Sequence, residues 1–441
     1  MIYVTTNDIR TYTNNLRNSA FIKEDRIPAY NLVIDMLFLK TIVMDRNIAT
    51  GPETFEAAMR FHGNMGSKDY APLSDAQTLQ KKASEFYGKE ELETIPLGVD
   101  TKSINEAMKD ESVNNLCNSL IEMRDSNSDD FLDSLEYVLE ELSHMGRFNR
   151  NREMISLRPD LIHAISSILE VKEGHTFADL TSGYGISTLF ILGNSNPKTI
   201  LRDNALDSLV LSEMLLIAAG KNINDTKVAD IFDMDEDEEI KADRIFIDPP
   251  FRTTQEGDSI TSIDGIELKD AWVASIMKSA KALNDDGMAI IAVPAIVLHG
   301  VQNGLGDVRK YLLDNHLLEA IISLPKCWRN SNIPTHLMIL SKRSNTKARF
   351  INFIDIYDEA NTPMQKLHMF KELGTILREN SSSINEKYLK DVDYADISVD
   401  SFIAGAYISY NERKDYRKED IERKLDELYS ELSDKIAKLR R

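Results

Sequence analysis

Short apolar runs alternate with helical segments between residues 176 and 340, and this alternation restricts the possible folds most. Helical patterns such as 208–219 and 272–283 separate most of the runs, which predicts a doubly wound, mostly parallel sheet. The last two runs are joined by only about a dozen residues without a helical pattern, which favours an antiparallel pair at one edge of the sheet. The predicted strands are 176–180, 199–201, 244–247, 288–293, 318–323 and 336–340.

Two further regions flank this α/β pattern. Residues 1–145 are predicted to form a helical domain, because the runs at 31–40 and 130–142 have helical spacing, with loops expected between Gly63 and Leu97. The sheet is assigned to 146–360 and a C-terminal region to 361–441. In the tail 417–441, apolar residues recur every three or four positions, which predicts a coiled-coil or amphipathic helix. Such a helix either packs on its own domain or binds a partner; we favour the partner.

The composition, above all the net charge, restricts which functions are plausible for this chain. The formal net charge is −20, whereas proteins that grip DNA alone over a wide surface usually have a basic face. If the chain acts on DNA, a local basic cleft or a partner has to supply much of the contact. Cys117 and Cys327 have no paired spacing, so neither a zinc site nor a disulfide framework is expected, and we predict no metal. The N-terminus does not resemble a signal peptide and no apolar run is long enough for a membrane span, so a cytoplasmic protein without membrane contact is expected.

A glycine-containing loop follows the first predicted strand. The strand ends at Asp179, and Gly183 and Gly185 lie before a helix expected near Ser187, a place where backbone can approach a ligand closely. Such a loop is also compatible with a simple tight turn. Asp203, after the next strand, is a candidate acceptor for ribose hydroxyls, although a surface or capping role is equally consistent with its position. Asp230 is a further candidate, for the adenine ring of a nucleoside.

The run Asp248-Pro249-Pro250-Phe251 follows the strand 244–247 directly. Two prolines cannot donate hydrogen bonds into a sheet, and their rigidity suits a loop that holds acceptors at the carboxyl end of a strand. Asp248 and the Pro249 carbonyl can accept hydrogen bonds from an exocyclic amine and direct its lone pair toward a methyl donor. Phe251 offers a ring for stacking on an extruded base. The alternative is a strand terminator without chemistry, but the preceding glycine loop and spaced acids disfavour it.

With these motifs the chain resembles the amino-methyltransferases that carry a D/N/S-P-P-Y/F/W motif. More specifically, it resembles the modification (M) subunits of type I restriction–modification systems over nearly its whole length. The family has Asn at the first position of the catalytic run, where Asp248 stands here, and Thr-Pro where Arg150 and Asn151 stand. The segments that carry the resemblance are 36–40, 146–153, 287–294, 308–313, 322–325, 333–340 and the C-terminal helix.

The resemblance implies a Rossmann-like methyltransferase sheet that transfers methyl from S-adenosyl-L-methionine to adenine N6 in duplex DNA. It also implies an assembly of two M subunits with one DNA-specificity (S) subunit, bound through the C-terminal helix, and a restriction (R) subunit as a further partner. Two other functions stay open: methylation of RNA or protein glutamine, and a scaffold subunit with weakened catalysis. The predicted catalytic residues are Asp248, Pro249, Pro250 and Phe251, and the predicted cofactor residues are Phe148, Arg150, Asn151, Asp179, Thr181, Gly183, Tyr184, Gly185, Asp203 and Asp230.

Overall fold

The architecture was obtained as a computed structural model of the chain. It describes residues 4–16, 29–45, 47–63, 72–96, 98–143, 159–233, 240–249, 254–255, 260–326, 333–343, 346–359, 362–378 and 388–408. Within these ranges, no helix is long and apolar enough to cross a membrane. The tail 417–441 and the predicted domain boundary near residue 146 lie outside the described residues, so both remain predictions.

Helices make up the regular structure of the described residues before the sheet, with one short 3-10 turn at Glu90–Glu93. The helix α2 is buried from Ala29 to Ile42, because it is apolar on nearly all sides and its neighbours surround it. The expectation of loops between Gly63 and Leu97 is wrong for Pro72–Tyr87, where polar residues cover the outer face of a helix. The helices are α1 (Thr6–Leu16), α2 (Ala29–Met44), α3 (Pro52–Gly63), α4 (Pro72–Tyr87), α5 (Thr101–Lys109), α6 (Glu111–Asp125), α7 (Phe131–Ser143) and α8 (Pro159–Leu169).

A nine-stranded sheet follows, in the order β11-β10-β8-β9-β7-β4-β1-β2-β3. Its strands are β1 (Thr176–Asp179), β2 (Lys198–Asp203), β3 (Asp225–Val228), β4 (Ala242–Ile247), β7 (Leu283–Pro294), β8 (Leu318–Ser323), β9 (Thr335–Ser341), β10 (Lys347–Asn352) and β11 (Leu389–Asp393), while β5 (Ser262–Ile263) and β6 (Ile266–Glu267) form a separate hairpin. The helices among them are α9 (Ile186–Leu192), α10 (Leu206–Ala218), α11 (Ala271–Ala282), α12 (Ala295–His299), α13 (Leu305–Asp314), α14 (Phe353–Glu359) and α15 (Pro363–Arg378).

The antiparallel pair predicted for the last two apolar runs is present, but it does not lie at the edge. Strand β9 runs antiparallel to both β7 and β8, between which it lies. Beyond β8 the sheet continues with β10 and β11, which the sequence did not reveal. Strand β11 alternates buried and exposed residues, and β10 begins with an exposed Lys347, so neither forms a continuous apolar run. The opposite edge strand β3 escaped prediction for the same reason, because its residues are half-buried or exposed.

The helices α8, α9 and α10 cover one face of the sheet, α2 packs on α10 as a second layer, and α11 and α13 cover the other face. The N-terminal helices share a continuous apolar core with the first face. Polar contacts reinforce this packing, since the Arg124 guanidinium in α6 donates a 2.8 Å hydrogen bond to the Ala218 carbonyl in α10. The helical layer is therefore fixed against the part of the sheet that carries the predicted site.

Candidate active site

Three of the predicted carboxylates meet at the carboxyl edge of the sheet. Strand β1 lies between β2 and β4 and runs parallel to both, so Asp179 and Asp203 end adjacent strands and Asp248 follows a third. Asp230 follows β3, which pairs with β2. In an open α/β sheet this edge is where ligands bind.

Asp179 is held at the end of β1 by two hydrogen bonds. Its Oδ1 accepts from the Thr181 amide at 3.0 Å, and its Oδ2 accepts from the Thr188 hydroxyl at 2.7 Å. The residue is only 2% exposed, and burial, with a smaller effect from the charge of Asp203, raises its pKa to about 7. Thr188 was missed by the sequence reasoning, since nothing in its local pattern distinguishes it from a helix surface residue.

Asp203 orders the glycine loop and the start of α10 together. Its Oδ2 accepts from the Gly183 amide at 2.9 Å, and its Oδ1 accepts from the Ala205 amide at 2.9 Å. The capping and the site interpretations of this residue are thus compatible, because the hydrogen bond to Gly183 places the carboxylate against the loop. Gly183 and Gly185 both have positive φ, 51° and 77°, a conformation that glycine adopts without strain.

Replacement of Gly185 by Ala should disturb this loop far more than replacement of Gly183. A Cβ at 185 would lie 2.5 Å from the Ser212 hydroxyl and 3.0 Å from its Cα, whereas a Cβ at 183 meets nothing within 4 Å. Both substitutions incur the cost of positive φ, so the difference between them isolates the clash with α10. We expect Gly185→Ala to lower the free energy of unfolding by about 1–3 kcal/mol more than Gly183→Ala, measured by chemical denaturation. Equal losses of unfolding free energy in the two variants would mean that α10 can shift to accommodate the added Cβ at no cost.

Asp248 lies directly beside the glycine loop. Its amide donates a 3.0 Å hydrogen bond to the Thr181 hydroxyl, so Thr181 connects the loop after β1 with the loop after β4. Burial of the carboxyl raises the pKa of Asp248 well above its usual value, and the charge of Asp179 adds to this effect. Pro249 is buried. Five other predicted site residues lie outside the described residues: Phe148, Arg150, Asn151, Pro250 and Phe251.

A tyrosine from the helical layer contacts the glycine loop. The hydroxyl of the fully buried Tyr30 in α2 donates a 3.3 Å hydrogen bond to the Tyr184 carbonyl, and the two rings are 5.6 Å apart. The neighbouring Ile186 packs into the core beneath the loop. The sequence gives no signal for Tyr30, because it is 154 residues away from its partner.

Replacement of Tyr30 by Phe should weaken binding at the glycine loop while leaving the fold intact. The substitution removes one long hydrogen bond to backbone and retains the ring, so we expect a loss of about 0.5–1.5 kcal/mol in ligand affinity. Calorimetric titration of the loop's ligand measures this loss, and Tyr12→Phe, in α1, is the control. A change in turnover without any change in ligand affinity would contradict a role in positioning the loop.

Asp230 lies beside a cavity of about 380 Å³ between the carboxyl edge and α11. One oxygen of its carboxylate accepts from the Phe232 amide at 3.1 Å, which fixes the turn after β3. Leu180, Ile231 and Lys278 also line this cavity. The cavity is partly apolar and large enough for a ring system, but of the predicted site residues that the structure describes only Asp230 lines it. Among the described residues, no cluster of His, Cys, Asp or Glu is arranged to hold a metal ion.

The fold is shared with solved methyltransferase and modification subunits. The structure is similar to a type I restriction-modification methyltransferase subunit from Streptococcus thermophilus, with 17% identity, a TM-score of 0.59, and coverage of 88% of this chain and 96% of that one. It is also similar to a modification subunit assigned to a type I restriction enzyme from Vibrio vulnificus, with 12% identity, a TM-score of 0.62, and coverage of 89% and 93%. A chain from a type I restriction–modification complex matches with 15% identity, a TM-score of 0.60, and coverage of 98% and 97%.

The sequence identifies the family. The model of the N-6 DNA methylase family matches residues 198–422, about half of the chain. The chain therefore belongs to the N-6 DNA methylase family, which confirms the class of protein predicted from the motifs. No curated protein matches the sequence significantly.

Proposed function

We propose that the chain binds S-adenosyl-L-methionine across the carboxyl edge of β1 and β2 and transfers its methyl group to adenine N6 in DNA. The observation that carries this proposal is the double role of Thr181. Its amide donates to Asp179 and its hydroxyl accepts from the Asp248 amide, so one residue fixes the glycine loop against the catalytic run. A methyl donor in that loop and an amine at Asp248 would be neighbours, and such positioning is the main requirement for direct transfer.

The residues at this edge suit the cofactor chemically. A sulfonium and an ammonium group are cations, and the edge presents the carboxylates of Asp179, Asp203 and Asp248. The recorded hydrogen-bond donors to Asp179, the Thr181 amide and the Thr188 hydroxyl, are both neutral. Burial raises the pKa of Asp179 to about 7, although its two hydrogen bonds oppose the shift, so a cationic ligand beside this carboxyl would favour its ionised form. The buried Ser182 hydroxyl in the same loop also has no partner in the described part of the chain.

In the proposed reaction Asp248 and the Pro249 carbonyl accept hydrogen bonds from the adenine amine. The bound cofactor supplies an electrophilic methyl group, so no covalent enzyme intermediate is needed. The hydrogen bonds from the amine to these two acceptors, together with a negative charge on Asp248, stabilise the positive charge that develops on the amine nitrogen during its attack on the methyl group. An ionised Asp248 can then take the proton that the methylated amine releases, and Phe251 stacks on the extruded base. We also propose that the protein acts in the cytoplasm, as expected from the sequence.

The test uses the purified full chain together with its partner subunits. We expect calorimetric titration to show binding of S-adenosyl-L-methionine, and labelled methyl to appear at adenine N6 when DNA is added. Sequencing of modified bases in DNA from cells that carry the gene and its neighbours would give the target site. A correctly assembled complex that binds no cofactor would overturn the catalytic proposal and favour the scaffold alternative. Methyl transfer to RNA or protein in place of DNA would overturn the proposal that DNA is the substrate.

We further infer that the chain acts as an M subunit with a second M subunit and an S subunit, with an R subunit as a further partner. The support is the likeness of nearly the whole chain to M-subunit structures, together with the net charge of −20. A chain this acidic gains from a partner that supplies basic contacts to the phosphate backbone. Base recognition would then belong to the S subunit, and methyl transfer to this chain.

Deletion of residues 417–441 should impair assembly with the S subunit while the remaining chain still folds. The nine strands described above all end by Asp393, so the deletion removes none of them. Size-exclusion chromatography with light scattering measures assembly, and circular dichroism measures folding. An internal control replaces Leu425 and Leu432 by Ala, which weakens the predicted apolar seam without shortening the chain. A truncated chain that fails to fold would show that the tail belongs to the core.

A further inference from the structure

A basic cleft lies at the amino edge of the sheet, opposite the candidate active site. Its volume is about 300 Å³, and its lining combines five basic side chains with three carboxylates. An excess of positive charge in one cleft is unexpected in a chain whose net charge is −20. The basic residues that define the cleft are Arg244, Arg343, Lys347, Arg349 and Arg378.

Three of these five cations already have carboxylate partners. Arg349 forms a two-pronged ion pair with Asp391, at 2.7 and 2.9 Å. Arg378 pairs with Glu170 at 2.9 Å, and Lys347 lies 3.5 Å from Asp393. These pairs fix the walls of the cleft, but they leave little charge for a ligand.

The other two cations, Arg244 and Arg343, lack an ion pair among the described residues. Arg244 donates from Nε to the Leu169 carbonyl at 2.6 Å and from Nη1 to the Asp243 carbonyl at 2.7 Å. These two hydrogen bonds use two of the five N–H donors of the guanidinium group, and both acceptors are backbone carbonyls, not carboxylates. Partial burial lowers the pKa of Arg244, and the nearby charge of Arg343 lowers it further, while Asp243 and Glu170 oppose the effect. Arg244 and Arg343 both line this cleft, and the repulsion between their like charges costs free energy unless an anion lies between them.

We propose that the basic cleft binds a free, multiply charged phosphate anion, such as pyrophosphate or the phosphates of a nucleotide. Guanidinium groups match the geometry of phosphate oxygens and bind them through paired N–H donors. Leu169, Met288 and Leu377 form the smaller, apolar part of the lining, and charge-assisted hydrogen bonds are stronger beside such groups than in water. The cleft is concave, which suits a small anion better than the continuous backbone of a duplex.

The site is separate from the proposed cofactor site. Arg244 lies near the beginning of β4 and Asp248 directly after its end, so the two sites are on opposite edges of the sheet. A ligand in the cleft contacts groups from β4, β10 and the ends of α8 and α15, and none of these groups belongs to the glycine loop. Occupation of the cleft therefore leaves the binding of S-adenosyl-L-methionine possible.

The test is titration of the full chain with pyrophosphate, with Arg343→Gln as the diagnostic variant. Arg343 is exposed and its guanidinium has no recorded contact in the described part, so the variant should fold normally. The matched control is Lys310→Gln, which removes the same charge at an exposed position outside the cleft. We expect pyrophosphate binding to weaken about tenfold or more in Arg343→Gln and to be unchanged in Lys310→Gln.

Two further arms complete the test. A duplex without adenine replaces pyrophosphate in one arm, and S-adenosyl-L-methionine is titrated into each variant in the other. Failure of pyrophosphate to bind, equal weakening in both variants, or Arg343-dependent binding of the duplex alone would each overturn the proposal. Unchanged cofactor binding in Arg343→Gln keeps this result independent of the proposed methyl transfer.

Discussion

Replacement of Asp248 by Ala should abolish methyl transfer while binding of S-adenosyl-L-methionine is retained. The side chain is expected to contact the adenine amine, whereas the contact with the cofactor loop uses the backbone amide, which donates to Thr181 and survives the substitution. Removal of one preorganised group that stabilises developing charge typically lowers turnover by about 10²–10³-fold. Single-turnover transfer of labelled methyl measures the first effect, and calorimetric titration measures the second.

The matched control is Asp248→Asn, which keeps an acceptor oxygen and matches the Asn that the family carries at this position. We expect this variant to retain much more activity than Asp248→Ala. Because the pKa of Asp248 is raised, a larger fraction of its carboxyl is ionised as the pH rises through that pKa. Wild-type turnover should therefore rise with pH while Asp248 ionises. In Asp248→Asn the part of this dependence that belongs to Asp248 should disappear. Equal loss of cofactor binding and turnover in Asp248→Ala would show that the residue contacts the donor instead.

The sequence predicted those parts of the fold that depend on local periodicity. The buried helix at 31–40 and the strands that precede Asp179 and Asp248 are continuous apolar patterns, and the structure places each of them as predicted. Strands β3, β10 and β11 could not be predicted, since edge strands are half exposed and their pairing depends on distant neighbours. The same limit explains the misplaced antiparallel pair, whose position in the sheet depends on β10.

The candidate site shows the same division between local and distant information. Motifs next to strand ends were sufficient to select Asp179, Asp203 and Asp248, because the carboxyl ends of parallel strands meet at one edge. The helices that pack against the glycine loop come from elsewhere in the chain: Tyr30 in α2 donates a hydrogen bond to the Tyr184 carbonyl, and Ser212 in α10 lies against Gly185. Such residues carry no motif, since their role arises only when the helices pack on the sheet.

Replacement of Asp203 by Ala should produce the second large effect, a loss of cofactor binding. The carboxylate accepts from the Gly183 and Ala205 amides, and the substitution removes both bonds from a half-buried position. Hydrogen bonds to a charged group contribute about 1.5–3 kcal/mol each. If the loop cannot close without them, the dissociation constant for S-adenosyl-L-methionine should rise by about 10²-fold or more, as calorimetric titration would measure.

Two controls separate this effect from a general change of charge. Asp207→Ala removes a negative charge one turn away in α10, where no hydrogen bond to the glycine loop is recorded among the described residues, and it should leave cofactor affinity unchanged. Asp203→Asn retains one acceptor oxygen but presents an NH₂ group to the second amide, so its affinity should lie between those of wild type and Asp203→Ala. If Asp203→Ala binds the cofactor as tightly as Asp207→Ala does, Asp203 only caps α10, and the glycine loop keeps its shape without this carboxylate.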